Sequence, residues 1–294
     1  MTQLFQKLSI MTSFAVSIAA ICSAPALAST LTNPLFGGTA ATDYSLYCSN
    51  GTSTFTGSYC TDSLETILSG NSSNPGGHIE LAKSSEQAGF DFTKNTTLTG
   101  TIGGQEIVIS SLTESDWMTD MGNGKTLLSQ WLDDVFLAHN VYMPPFLQPA
   151  VENAFIANGG RQRFSDPKIS YVNQDDTTGE ISIGLAGHFN ASETLKAALG
   201  DTTIGGFKLA DFIPSQVQAS ELVKVIYNNE PAQYLYSFAS TAVGTADSAR
   251  NGNYQVSLAG NLPVTSVPEP STMLGLMAIS GLVAVQKRKS ANKA

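Results

Sequence analysis

Histidine, cysteine and tryptophan are all scarce in this chain of 294 residues, with three, three and two copies. His78, His139 and His188 never fall four apart, and neither His-Glu-x-x-His nor Gly-x-Ser-x-Gly occurs. The sequence signatures of zinc peptidases and of serine hydrolases with a nucleophile elbow are therefore missing. Each histidine reads as a surface or satisfied core residue; His188, just beyond the Glu180 stretch and after Gly187, has the best claim to base catalysis. No internal repeat stands out, and the D-x-D-x-D spacing of an EF-hand loop is absent. Charge is sparse too, at 13% of residues, with 15 Lys and Arg against 24 Asp and Glu.

What the chain does have is two greasy ends. At the start, Lys7 supplies a positive charge, Leu8 to Ile21 an apolar run, and Ala26-Leu27-Ala28 a small-residue cleavage site. That order is a secretory signal, residues 1–28, with cleavage by signal peptidase expected between Ala28 and Ser29. Cys22 does not mark a lipoprotein, because Ile21 stands where such processing demands a small side chain. At the other end, Pro268-Glu269-Pro270 fixes an extended stretch, since two proline rings disfavour helix. An apolar run from Met273 to Val285 follows, and then Lys287-Arg288-Lys289. Apolar followed by basic is a stop-transfer pattern with the basic end in the cytoplasm. A bilayer core asks for roughly twenty apolar residues, so this helix, expected over 272–286, is short for a permanent anchor.

The ordered triple of Pro-Glu-Pro, short hydrophobic helix and basic cluster at the C-terminus resembles the PEP-CTERM sorting signal of Gram-negative bacteria that make exopolysaccharide. The resemblance covers residues 267–294, about a tenth of the chain. It implies transient residence in the inner membrane, recognition by an exosortase, cleavage near Pro-Glu-Pro and release to the cell surface or matrix. It implies nothing about chemistry, because such tails follow many unrelated cargoes.

The segment between, residues 29–266, reads as one secreted domain. Setting aside Lys7, Lys287, Arg288, Lys289, Lys293 and Glu269 leaves ten basic against twenty-three acidic residues, a net of −13. Such a body repels nucleic acid and anionic lipid and favours solubility. Cys48 and Cys60 survive export and are expected to pair in an oxidising envelope. A metal pair or redox thiol fits their spacing poorly.

Alternation and turn chemistry predict strands over Phe92–Leu98 and Gln105–Leu112, joined by a turn across Gly100–Gly104. Lys125–Asn140 carries Leu128, Trp131, Leu132, Val135 and Phe136 at helical spacing. After Met143-Pro144-Pro145, a second helix over Phe146–Ala157, closed by Asn158-Gly159-Gly160, completes a helical hairpin. Lys168–Val172 and Glu180–Leu185 form the clearest β-hairpin, around Asp175-Asp176-Thr177-Thr178-Gly179. Ser192–Leu199 is a short helix with Ser192 as N-cap and Gly200 beyond its end. Leu222–Tyr227 with Gln233–Thr241 is another hairpin, and Asn253–Leu258 a last strand.

The fold expected is α+β, mainly antiparallel sheet with a helical hairpin midway. Asp175, Asp176 and Glu180 offer hard oxygens to Ca²⁺, against the plainer reading as turn residues; no other cofactor is expected. Asp133-Asp134 read as a solvated helix face. Trp117, Trp131, Tyr227, Tyr234, Tyr236 and Tyr254 could stack on sugars, but core packing explains Trp131, and a half-buried sheet face Tyr234 and Tyr236. The expectation is a non-enzymatic surface or exopolysaccharide-matrix protein. The alternatives are a secreted hydrolase acting on polysaccharide or peptide, and a Ca²⁺-stabilised adhesin.

Overall fold

The computed structural model describes residues 28–49, 54–56, 60–240, 242–243 and 252–262. Residues 1–27 of the signal expected over 1–28, and everything from residue 263 onward, including the helix expected over 272–286, lie outside them. The described chain is mostly antiparallel sheet with a few helices. In order it forms β1 (Ala28–Thr30), β2 (Thr32–Gly37), β3 (Tyr44–Ser49), β4 (Thr54–Thr56), α1 (Leu64–Leu68) and β5 (Gly77–Leu81). Then come β6 (Thr97–Ile102), β7 (Gln105–Ser110), α2 (Glu114–Trp117), α3 (Leu127–Ala138), α4 (Gln148–Ala157) and α5 (Gly160–Arg163). The last part holds β8 (Lys168–Asp175), β9 (Ile181–Gly187), α6 (Ser192–Leu199), β10 (Thr203–Ile204), β11 (Phe207–Lys208), β12 (Val223–Tyr227), β13 (Gln233–Leu235), β14 (Ala242–Val243) and β15 (Gly252–Leu258).

Two larger sheets organise these strands. One runs β14-β15-β9-β8-β5-β3-β4, and the other β13-β12-β7-β6-β2. β1 and β5 divide one edge of β8 between them: Ala28–Thr30 pair with Asn173–Asp175, and Ile79 and Glu80 with Ile169 and Lys168. Both sheets line one apolar core. Ile107, Ile109, Val223 and Val225 come from the smaller, and Ile79, Ile169, Ile181, Ile183 and Val256 from the larger. Period-two alternation is what lets each strand send one face inward. Between β1 and β2 the chain passes from the larger sheet to the smaller through Leu31, which is buried.

A second core holds the helices. Trp131 of α3 sits at its centre, with ring centroids 4.7 Å from Phe164, 5.5 Å from Phe155 and 5.9 Å from Trp117. Thr126 caps α3 by accepting from the Ser129 amide, and Leu127, Leu128, Trp131, Leu132, Val135 and Phe136 form its buried face. The expected helical hairpin is present as α3 and α4, with a 3₁₀ turn over Pro145–Leu147 leading into α4.

The structure corrects several expectations. Phe92-Thr93 form a turn, closed where Asp91 accepts from both the amide and the hydroxyl of Thr93; the strand starts only at Thr97 and runs through Gly100 to Ile102. The tight turn is Gly103-Gly104, both at positive φ, as a two-residue hairpin loop of this hand requires. As expected, the second helix closes at Asn158-Gly159, with Asn158 as the C-cap of α4 and Gly159 at a left-handed φ; what the sequence did not show is the short α5 that starts at Gly160. Ser192 is the first helical residue of α6, not its cap, and its amide donates to Asn190 Oδ1. The strand expected to Thr241 stops at Leu235.

Candidate functional site

Three pieces of chain meet at the turn between β8 and β9. Asp175 Oδ1 accepts from the amides of Thr177 (2.7 Å) and Thr178 (3.0 Å), closing the turn. These amides hold the Asp175 carboxyl below the usual carboxylate range. Asp176 Oδ1 accepts from the Ser29 hydroxyl at 2.7 Å and from its amide at 3.3 Å. Gln174 is fully buried, and its Nε2 donates to the carbonyls of Gly179 (3.0 Å) and Asn261 (2.6 Å). Tyr227 Oη adds a hold on this end of the body by accepting from the Asn261 amide. The residues expected to bracket signal cleavage, Ala28 and Ser29, and the segment leading to the tail thus arrive at one corner. Of the three Ca²⁺ candidates, Asp175 closes the turn, Asp176 holds Ser29, and Glu180 is exposed. Among the described residues, no three His, Cys, Asp or Glu side chains stand together as a metal site.

A buried polar cluster lies on the larger sheet, on the face away from the core. His78 and Glu80 alternate with the core residues Ile79 and Leu81, and Lys168 is Glu80's partner across the strands. Lys168 Nζ stands 3.3 Å from Glu80, and the Tyr47 hydroxyl donates to Glu80 Oε2 at 2.9 Å. The Tyr47 ring stacks on His78 with centroids 4.2 Å apart, and the Lys168 ammonium lies 4.7 Å from the Tyr47 ring centroid. Lys168 is 2% exposed and Glu80 6%. The group brings together a Lys, a Glu and a His that are buried and a Tyr that is half-buried. Sequence reading missed this group, although the polar-apolar alternation of His78-Ile79-Glu80-Leu81 signals it.

A second cluster ties the helices to the smaller sheet. Asp116, at the end of the Thr113 capping box, accepts from the Thr113 amide and hydroxyl on one oxygen. Its other oxygen accepts from Lys224 Nζ (2.7 Å) and the Tyr234 hydroxyl (2.8 Å). Burial alone would raise the Asp116 carboxyl's pKa, yet Lys224, Thr113 and Tyr234 outweigh it and hold it below the usual range. Burial and the adjacent carboxylate push Tyr234 up to about 12.

The other candidates resolve individually. His139 Nε2 bonds the Gln218 carbonyl at 2.9 Å. The His188 ring stands edge-on to Phe164, while its backbone pairs with Ala219 and accepts from the Tyr254 hydroxyl. Asp133 pairs with Lys125, and Asp134 accepts from the Tyr236 hydroxyl, so the expected solvated face is partly spoken for. Trp117, Trp131, Tyr227 and Tyr254 are buried and present no ring to a sugar. A shallow opening of about 590 Å³ beside α6 is lined by Glu193, Lys196, Asp201 and Lys208, among others. Its lysines pair with its own acids, Lys196 with Glu193 and Lys208 with Asp201. Cys48 and Cys60 form a disulfide, as expected.

Residues 266–289 match the PEP-CTERM protein-sorting motif. The match spans Pro268, Glu269, Pro270 and the basic Lys287, Arg288 and Lys289, all outside the described residues. No curated protein and no solved structure matches the chain. The motif indicates a protein exported and sorted to the cell surface, and it implies an exosortase as processing partner.

Proposed function

We propose that the protein is a non-catalytic structural or binding component of the cell surface or exopolysaccharide layer. Its tail is cut by an exosortase during passage through the inner membrane. The sorting motif at residues 266–289 carries this reading. The body supports it, because the carboxylates that the sequence offers for chemistry hold the fold: Asp134 on Tyr236, Asp175 on its turn, Asp176 on Ser29. An acidic surface with few lysines suits a soluble body in a hydrated polysaccharide layer better than one that grips nucleic acid.

Intact mass of the protein recovered from the cell surface, with and without the sorting enzyme, tests the proposal. Loss of both end segments is the expected result, together with retention of the tailed form when the enzyme is deleted. A full-length protein in the inner membrane irrespective of the enzyme would sink it. Turnover of polysaccharide or peptide by the purified body would favour the hydrolase reading, with the Tyr47–His78–Glu80–Lys168 cluster first to be mutated. The Ca²⁺-stabilised adhesin makes a separate claim, that chelator lowers the melting temperature; under our proposal it leaves it unchanged.

A further inference from the structure

We infer that Asp176 is the receptor for the protein's own processed amino terminus. Once the signal is cut between Ala28 and Ser29, the new α-ammonium of Ser29 pairs with the Asp176 carboxylate and locks the start of the body onto the β8–β9 turn. The inference rests on the cleavage position read from Ala26-Leu27-Ala28, and it adds a partner for the group that cleavage creates.

The folded chain shows the geometry with the Ala28–Ser29 bond still intact. Ser29 N stands 3.3 Å from Asp176 Oδ1 as a neutral peptide amide with one hydrogen to give, and the Ser29 hydroxyl donates to the same oxygen at 2.7 Å. Among the described residues, both hydrogen bonds to the Asp176 side chain come from Ser29. Hydrolysis adds water across the Ala28–Ser29 bond, leaving a carboxylate on Ala28 and an ammonium on Ser29. The same nitrogen then carries three hydrogens and a full positive charge. Charge-assisted hydrogen bonds are shorter and roughly twice as strong as neutral ones. Both residues are half-buried, so solvent screens the pair less than it screens a fully exposed one. Leu31, two residues on and buried in the core between the sheets, fixes the distance at which Ser29 can reach Asp176.

The arrangement also orders events. In the folded body Ala28 pairs with Asp175 and Ser29 with Gln174 along the β8 edge. A peptidase needs that same backbone extended in its own cleft. One strand cannot serve both, so cleavage precedes docking of β1, and docking then hides the new end.

The test uses the exported protein from the cell surface, its first residue identified by peptide mass. Wild type and Asp176→Asn, which keeps an acceptor oxygen but no charge, are each measured before and after selective acetylation of the α-amine near neutral pH. Acetylation is expected to lower the melting temperature of wild type by about 2–4 °C, the scale set by one modest ion pair in a body of this size. It should leave Asp176→Asn unmoved. Equal shifts in both proteins, or none in either, overturn the inference while leaving the cleavage position intact. A first residue other than Ser29 overturns the cleavage reading, and the inference falls with it.

Discussion

Asp116 holds four donors on two oxygens, and one of them is a lysine. Because its folded pKa is lowered, the carboxylate contributes stability that is fully present above the unfolded value of about 3.9. That contribution is lost as pH falls through the lowered folded value. Asp116→Asn should therefore be destabilised near neutral pH, and its stability should fall less steeply than wild type between about pH 4 and the acid transition. Denaturant titrations across that range check both halves. Little of this was legible in the sequence. Thr113-x-x-Asp116 spells a capping box, but its link to Lys224 and Tyr234 crosses more than a hundred residues, and spacing says nothing about such distances. The tail was legible for the opposite reason: its parts act in strict order along the chain, and order is what a sequence displays.

At the scale of elements, α3 was readable because a helix with a single buried face writes its pattern every three to four residues. The β8–β9 hairpin was readable because β-branched strands flank an Asp-rich turn. β1 to β5 were not. β3 is half-buried along nearly its whole length, and β2 shifts register between Thr32 and Leu35, with Asn33 at positive φ, so neither shows clean alternation. The helical core converges on Trp131, which contacts rings from α2, α4, the Phe164 segment and the Phe238 segment. Trp131→Ala should cost about 3–5 kcal/mol in chemical denaturation, since a large ring leaves a cavity that its neighbours cannot fill. The Cys48–Cys60 bridge closes a loop of sequence separation 12 beneath the β3–β4 pair. Replacing both cysteines by serine should lower stability by about 3 kcal/mol, largely through the freed unfolded chain, without changing the fold seen by circular dichroism.

At the scale of the whole molecule, the sequence described a courier system more fully than the thing carried. The expected signal and the matched sorting motif are patterns of composition and order, whereas the body's surface chemistry depends on which residues folding brings together. The buried Lys168–Glu80 pair and the corner at Gln174–Asp176 emerge only in three dimensions. That corner has a practical corollary. Ser29 is fastened to Asp176 and Asn261 to Gln174, two positions apart at the end of β8, so the two outlets of the body are neighbours. Splicing Leu262 to Ser29 through a short glycine linker, and opening new ends in the exposed Gly122-Asn123-Gly124 loop, should give a circular permutant that folds. It should show the parent's circular dichroism and a cooperative melt, and a non-cooperative melt would mean that the outlets are not neighbours. A tether joined at either end would therefore take hold of the body at this same corner.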